Sequence, residues 1–177
     1  MKHLVWSGMA VASLGGCASL VAPLEGYPAA TSATAEVRDR AGLPKGAATA
    51  AQAGDGIRLR VVATNMAPGA YGAHVHMIGR CDPPGFESAG GHWNPTNHQH
   101  GKDNPRGMHK GDLPNLLIGA DGRGMLEVTI PHASLGGSAN RMLDADGAAL
   151  VLHAAADDYR TDPSGSSGAR IACGVFR

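Results

Sequence analysis

One histidine-rich stretch constrains this chain more than any other feature of its sequence. Most of the nine histidines lie between residues 74 and 112, in a segment rich in glycine, proline and asparagine. The segment ends in a carboxylate, Asp112, and aromatic residues make up only 4% of the chain. Clustered imidazoles closed by a carboxylate are typical of a metal site. We therefore expect the fold to gather this stretch around metal ions.

The composition favours a single all-β domain. With 177 residues, the chain is long enough to bury a core in one domain. Its 26 glycines indicate many turns, and no long amphipathic helix is evident. The 15 basic residues balance 15 acidic residues, which argues against a nucleic-acid partner bound through a broad cationic face.

The N-terminal residues have the features of an export signal. Lys2 precedes an apolar run over residues 4–14, which is shorter than the about 20 residues that cross a bilayer. The run ends in Leu-Gly-Gly before Cys17, and this pattern is similar to the lipobox of bacterial lipoproteins. We expect residues 1–16 to be a signal peptide, Cys17 to carry lipid and residues 17–33 to form a tether. The alternative is an ordinary secretory signal with an incidental cysteine.

The cysteine count agrees with lipidation. Three cysteines in an exported chain leave one unpaired. If Cys17 is lipidated, Cys81 and Cys173 remain as a natural pair for an oxidising compartment. Such a bridge would close a loop of about 90 residues and contribute on the order of 4 kcal/mol to stability in the chain-entropy model. The expected location is therefore the periplasmic side of the bacterial cell envelope, with the lipid as the only membrane contact.

Alternating apolar residues and turn dipeptides predict eight strands. The clearest is residues 57–63, where apolar and basic side chains alternate. Residues 65–69 are interpreted as a turn, and Asp121-Gly122 predicts a hairpin. The other predicted strands are 34–39, 46–52, 72–77, 116–118, 125–130, 148–153 and 170–176. With two long functional loops, 80–113 and 158–169, they indicate an eight-stranded Greek-key β-sandwich or flattened barrel over residues 34–177.

The candidate metal ligands divide into two unlike groups. His74 and His76 are two residues apart on a predicted strand, so both side chains point to the same face. Paired imidazoles suit copper or zinc, and His153, at the end of another strand, could complete this group. The second group has three imidazoles and a carboxylate, the full tetrahedral complement for zinc. Its members are His92, His100, His109 and Asp112.

Five segments of the sequence resemble the copper–zinc superoxide dismutases. They are Gly-Ala-His-Val-His at 72–76, Ser-Ala-Gly-Gly-His-Trp-Asn-Pro at 88–95, His-Gly at 100–101, His-Lys-Gly-Asp-Leu-Pro-Asn at 109–115 and Gly-Ala-Arg-Ile-Ala-Cys-Gly at 168–174. The resemblance implies copper and zinc as cofactors, with His92 as an imidazolate that bridges them. The implied copper ligands are His74, His76, His92 and His153. The implied zinc ligands are His92, His100, His109 and Asp112.

The same resemblance implies roles for the supporting residues. It pairs Cys81 with Cys173 in a disulfide that braces Arg170, whose guanidinium would hold superoxide beside copper. It also implies that Asp157 links a copper ligand to a zinc ligand and orients both imidazoles. The implied activity is dismutation of superoxide to dioxygen and hydrogen peroxide, which would protect the cell envelope. The copper would carry the electron, and His92 would supply a proton to peroxide.

The sequence departs from the family in its second loop. Many members carry a lysine there that attracts superoxide, whereas this chain has Pro163 and Ser164 near that place. Basic residues of the first loop are the candidates for this electrostatic guidance: Lys102, Arg106 and Lys110. The alternative function is a copper/zinc-binding protein that buffers or delivers metal without turnover. Arg170 favours the enzyme, because a buffer has no use for an anion-holding arginine. Both a monomer and a homodimer are compatible with the sequence.

Overall fold

The computed structural model describes residues 31–137 and 139–177, and this part of the chain is all-β, as predicted. The predicted signal peptide, the lipidated Cys17 and nearly all of the tether lie outside the described residues. Within the described ranges, no helix is both long and apolar enough to span a membrane. Nine strands occur there: β1 Ser32–Asp39, β2 Pro44–Ala53, β3 Gly56–Ala63, β4 Gly69–Tyr71, β5 Ala73–His76, β6 Leu116–Ile118, β7 Gly124–Ile130, β8 Ala149–His153 and β9 Arg170–Val175.

Seven strands form one antiparallel sheet, and the other two form a small second sheet. The large sheet has the order β5-β8-β9-β1-β2-β3-β7, and the small one pairs β4 with β6. Crossover connections therefore place the last strand beside the first and β7 beside β3. This order also brings β5 and β8, which carry candidate ligands, side by side.

Alternating side chains build the core. On β3, Ile57, Leu59 and Val61 are buried, whereas Arg58 and Arg60 point to solvent. Burying each large aliphatic side chain contributes about 1.5–3 kcal/mol. Small residues fill the inner face of β1 and β2, where alanines rather than aromatic side chains are buried. The result is a closely packed support for the loops.

Two local predictions differ from the structure. Residues 69–71, partly assigned to a turn, form β4, which pairs with β6. A three-residue strand is too short to show alternation, so no pattern in the sequence predicts it. The Asp121-Gly122 turn is present, with the Gly119 N–H donating to the Arg123 carbonyl at 2.8 Å. However, the strands on either side of this turn pair with different strands. A turn dipeptide determines the chain reversal but not the pairing partners.

A disulfide fastens the first long loop to the sheet. Cys81, in the loop after β5, is bonded to Cys173 on β9, which confirms the predicted pair. The two cysteines are 92 residues apart in sequence. A cross-link of that span removes much of the loop-closure entropy of the unfolded chain. The bridge therefore holds the start of the metal-binding loop next to Arg170.

Candidate metal centre

Two neighbouring strands bring three imidazoles together. His74 and His76 lie on β5, and both are completely buried. His153 ends β8, which pairs with β5 so that Ala73 is opposite Leu152. The ring centroids of His74 and His153 are 4.7 Å apart, and those of His76 and His153 are 5.9 Å apart. Strand pairing thus gathers residues that are far apart in sequence.

Each of these three rings has one nitrogen with a hydrogen-bond partner. His76 Nδ1 donates to the Gly90 carbonyl at 2.9 Å, and His153 Nδ1 donates to the Gly168 carbonyl at 3.1 Å. His74 bonds through Nε2 to a carboxylate oxygen of Asp157 at 2.8 Å. Because these oxygens only accept, the bonded nitrogens carry the protons, and the opposite nitrogens of neutral rings carry lone pairs.

The opposite nitrogens are buried and have no hydrogen-bond partner among the described residues. They are His74 Nδ1, His76 Nε2 and His153 Nε2. Leaving a buried polar atom unpaired costs about 1–3 kcal/mol, so native proteins rarely do so without a ligand. Three converging imidazole lone pairs are suitable donors for copper. The residues present therefore fit a copper ion.

Burial keeps these rings neutral. Burial lowers the pKa of His74 to about 3, although the hydrogen bond to Asp157 opposes the shift. Burial also lowers the pKa of His76 to about 2 and that of His153 to about 4. At neutral pH all three rings are uncharged, which leaves their lone pairs free for a metal.

The second group converges on one carboxylate oxygen. The Nδ1 atoms of His92, His100 and His109 lie 2.9, 3.0 and 3.1 Å from Oδ1 of Asp112. The other oxygen, Oδ2, accepts hydrogen bonds from the backbone N–H groups of Gly101 and His109. Burial alone would raise the pKa of Asp112, but hydrogen bonds from the three imidazoles hold it well below its usual range. Three imidazoles and one ionised carboxylate fit zinc.

His74 lies close to the second group, but we do not assign it to that group. A ring nitrogen of His74 lies within 4.8 Å of the donor atoms of His92, His100 and Asp112. However, its Nε2 donates to Asp157, and its Nδ1 is one of the three unpaired nitrogens of the first group. We therefore place His109, whose Nδ1 is 3.1 Å from Asp112, in the second group.

His92 contributes to both groups. Its Nδ1 faces Asp112, while its ring stacks on that of His74 with centroids 3.9 Å apart. A donor nitrogen of His92 also lies within 4.8 Å of the donor atoms of His74, His76 and His153. Burial lowers the pKa of His92, against the opposing effect of Asp112. All seven predicted ligands thus lie together, with this one imidazole between the two groups.

Asp157 is the second residue, after His92, that connects the two ligand groups. Its side chain is fully buried, and Oδ2 accepts from His74 while Oδ1 accepts from His100 Nε2 at 3.0 Å. Burial would raise the pKa of Asp157, but hydrogen bonds from His100 and His74 hold it below its usual range. Burial lowers the pKa of His100, but hydrogen bonds to Asp112 and Asp157 outweigh it and raise that pKa to about 9. The carboxylate fixes the orientation of one imidazole in each group.

Arg170 lies beside the first group. Its guanidinium donates to the carbonyls of Phe86 and Gly90, both at 2.8 Å. The Gly90 carbonyl also accepts from His76, so one backbone oxygen holds the cation and a candidate copper ligand. Burial lowers the pKa of Arg170, but guanidinium groups stay charged in proteins. The arrangement places a fixed positive charge close enough to His76 and His153 to help lower the pKa of each ring.

Arg170 lines a cavity of about 360 Å³, and a second arginine also lines it. Its lining includes Arg40, Glu87 and the glycines 85 and 168. Arg40 was not predicted as a functional residue, because it lies in the exposed turn after β1 and matches no motif. Only the fold brings it to the cavity of Arg170.

The three predicted guidance residues do not line this cavity. The Lys102 ammonium lies 3.4 Å from Asp103 and 4.4 Å from the ring centroid of Tyr159. Lys110 donates to the Pro131 carbonyl at 2.7 Å, and Arg106 is exposed. These residues would therefore attract superoxide from a distance, through the electrostatic field of the protein. Their role stays a prediction.

Comparisons with known proteins identify the family. Residues 44–176 match the family model for copper/zinc superoxide dismutase (SODC). The superoxide dismutase [Cu-Zn] of Caulobacter vibrioides is 42% identical over 149 residues, which cover 82% of this chain and 86% of that protein. The superoxide dismutase-like protein YojM of Bacillus subtilis is 49% identical over 124 residues, which cover 69% of this chain and 63% of that protein.

Solved structures agree with this assignment. The Cu/Zn superoxide dismutase from Brucella abortus has a TM-score of 0.65 at 31% identity and covers 82% of this chain and 99% of that one. A superoxide dismutase-like protein from Bacillus subtilis has a TM-score of 0.76 at 43% identity, over 80% of this chain and 96% of that one. The chain belongs to the copper/zinc superoxide dismutase family. The family implies copper and zinc, and both ligand groups are suited to them, which confirms the predicted cofactors.

Proposed function

We propose that the protein catalyses the dismutation of superoxide, in which two superoxide ions and two protons give dioxygen and hydrogen peroxide. The observation that carries this proposal is the shared Gly90 carbonyl, which holds the Arg170 cation beside His76. Ligand groups alone would serve a metal buffer equally well. A charged guanidinium fixed beside the first ligand group is what a catalyst acting on an anion requires.

The two ligand groups would hold different metals. Copper supplies one-electron redox chemistry when bound, whereas zinc has none and would hold the first loop in place. The unpaired nitrogens of the first group support its assignment to copper, and the ionised carboxylate of the second supports zinc. The copper residues would be His74, His76, His92 and His153. The zinc residues would be His92, His100, His109 and Asp112.

Arg170 would bind the substrate. The two backbone carbonyls use one N–H from each terminal nitrogen of the guanidinium. A guanidinium has five N–H groups, so three remain free to donate to an anion. Fixing the guanidinium in advance lowers the cost of ordering it when superoxide arrives.

His92 would handle a proton. Its Nδ1 faces Asp112, on the side that would hold zinc, so the proton would be taken up and released at Nε2. A proton held at Nε2 of this buried ring would be passed on to peroxide. His92 and Asp112 would together hold the zinc, and this would keep the ring in one orientation.

The proposal includes a place in the cell envelope. The Leu-Gly-Gly-Cys pattern ending at Cys17 supports a lipid anchor, and the bond between Cys81 and Cys173 supports an oxidising compartment such as the periplasm. Mass spectrometry of the mature protein tests this part. We expect an N-terminus at Cys17 with added lipid mass, and an unmodified N-terminus beyond Cys17 would contradict it.

The second candidate is a copper/zinc buffer or delivery protein without turnover. It is favoured by the similarity to a Bacillus subtilis protein that is named only superoxide dismutase-like. The discriminating assay is inhibition of superoxide-driven dye reduction by fully metallated protein, repeated with cyanide. The enzyme predicts inhibition that cyanide removes. No inhibition at full copper occupancy, verified by elemental analysis, would support the buffer.

A further inference from the structure

Asn115 holds the backbone of Asp157 on both sides. Its Nδ2 donates to the Asp157 carbonyl at 2.9 Å, and its Oδ1 accepts from the Asp157 N–H at 2.8 Å. The two residues are 42 positions apart and belong to different loops. A paired amide contact of this kind fixes position and orientation together. The side chain of Asn115 therefore acts as a clasp between the loop that precedes β6 and the loop that follows β8.

Tyr159 closes the clasp from the other side. Its hydroxyl oxygen accepts from the backbone N–H of Asn115 at 2.8 Å. Its own backbone N–H donates to Oδ1 of Asp157 at 2.6 Å. Asn115, Asp157 and Tyr159 are thus joined in a closed set of hydrogen bonds, all partly buried.

The clasp determines where the Asp157 carboxylate lies. That carboxylate accepts from His74 in the first ligand group and from His100 in the second. Gly165 lies directly against it, since a Cβ at Gly165 would be 1.8 Å from Asp157 Oδ1. With its backbone clasped and its side chain enclosed, Asp157 has one available position.

We propose that Asn115 is a positioning residue for both metal groups, acting through Asp157 on His74 and His100. The proposal depends on the metal assignment of the proposed function, but it does not depend on turnover. Loss of a residue that orients metal-binding imidazoles typically lowers metal affinity 10- to 100-fold. Asn115 bonds to Asp157 and not to an imidazole itself, so we expect a loss of metal affinity at the lower end of this range.

The test replaces Asn115 by alanine in the full chain and measures both sites. Zn²⁺ affinity is measured by chelator competition on copper-free protein, and the copper site is followed by the electron paramagnetic resonance of bound Cu²⁺. We expect about tenfold weaker Zn²⁺ binding and an altered Cu²⁺ spectrum in Asn115→Ala. Both readouts report ligand geometry, so they are independent of dismutase activity.

Gln52→Ala is the matched control. The Gln52 side chain also bonds to backbone groups distant in sequence, donating to Ala133 and accepting from Leu135, and its hydrogen bonds within the described residues involve no candidate ligand. We expect this variant to lower the melting temperature without changing Zn²⁺ affinity or the Cu²⁺ spectrum. Unchanged metal properties in Asn115→Ala, within twofold for Zn²⁺, would overturn the proposal, as would an equal change in Gln52→Ala.

Two milder variants keep the test decisive if Asn115→Ala fails to fold. Asn115→Asp retains an oxygen that can accept from Asp157 but loses the N–H donor. Tyr159→Phe retains the ring but loses the hydroxyl that accepts from Asn115. We expect both to weaken Zn²⁺ binding less than alanine does, and no change in either would overturn the proposal. A wild-type protein inactive in the dye assay would contradict the proposed function and leave these measurements valid.

Discussion

Nδ1 of His92 lies 2.9 Å from Oδ1 of Asp112, so this nitrogen faces the second ligand group. The same ring stacks on His74 and lies near the other imidazoles of the first group. A single side chain is thereby placed between two ligand sets of different chemistry. This placement allows one metal site to influence the other through a single imidazole.

Replacing Arg170 by glutamine should slow the reaction without removing the metals. The cation lies beside His76 but bonds only to backbone carbonyls, so no candidate ligand loses a contact. Because a cleft lined by favourable charge raises the on-rate of an anion by about 10- to 1,000-fold, and Arg170 lies at the first ligand group, we expect its neutralisation to lower kcat/KM for superoxide about tenfold. Pulse radiolysis together with elemental analysis checks this.

Arg170→Lys should fall between the wild type and Arg170→Gln, because it keeps the charge but not the planar fork. Arg60→Gln is the control, since Arg60 is an exposed arginine on β3, 3.9 Å from Glu127. Equal rates for Arg170→Gln and the wild type would remove Arg170 from the mechanism.

The salt dependence of the rate should reveal which cations guide superoxide. Neutralising Lys102, Arg106 and Lys110 together should flatten the decline of kcat/KM with ionic strength, since less field remains to be screened. Arg40→Gln alone should also flatten it, because Arg40 lines the cavity that adjoins Arg170. Rates measured between low and physiological salt decide this. A salt profile unchanged in the triple variant would exclude those three residues, and an unchanged profile in Arg40→Gln would exclude the cavity arginine.

Gly165→Ala should damage the link between the two ligand groups. A Cβ there would lie 1.8 Å from Asp157 Oδ1 and 2.7 Å from His100 Nε2, so the carboxylate or the imidazole must move. We expect a loss of at least about 2 kcal/mol in the unfolding free energy of the zinc-loaded protein, measured by denaturant titration.

Gly54→Ala provides the control for Gly165→Ala. Gly54 has a similar backbone φ of +60°, but no atom lies within 4 Å of a Cβ placed there. It should therefore show only the backbone cost of about 1 kcal/mol. Equal losses in the two variants would mean that contact with Asp157 is unimportant.

The metal-free protein should lose stability on mild acidification. The folded pKa values of His74, His76 and His153 lie at about 3, 2 and 4, below the value near 6.5 of an unfolded histidine. Below pH 6.5 the unfolded chain therefore binds more protons than the folded one, and stability falls with pH. Each such histidine can remove up to about 1.4 kcal/mol per pH unit. Urea titrations of metal-free protein at pH 7, 6 and 5 check this.

Burial also lowers the pKa of His92, so this ring adds to the loss of stability, whereas His100 and the two aspartates act mainly outside this pH window. The pKa of His100, raised to about 9, gives stability that is lost as the pH rises through that value. The lowered pKa values of Asp112 and Asp157 affect stability only below about pH 4. Unfolding free energies that are equal at pH 7 and pH 5 would contradict the neutral state of the three buried imidazoles.

The sequence predicted those features that depend on local spacing. Alternation identified β3, and the His-x-His spacing identified His74 and His76 as neighbours on one face. The flanking segments then implied all seven candidate ligands. Features that depend on contacts between distant loops were not predicted. The clasp between Asn115 and Asp157 spans 42 residues, and Arg40 reaches its cavity only through the pairing of β1 with β9.

The position of His92 between two different metals can be checked in a crystal structure of the copper- and zinc-loaded protein, with anomalous data at both metal edges. We expect zinc on the Nδ1 side of His92, where Asp112 lies, and copper on its Nε2 side. An imidazole at position 92 that touches one ion, or none, would contradict it.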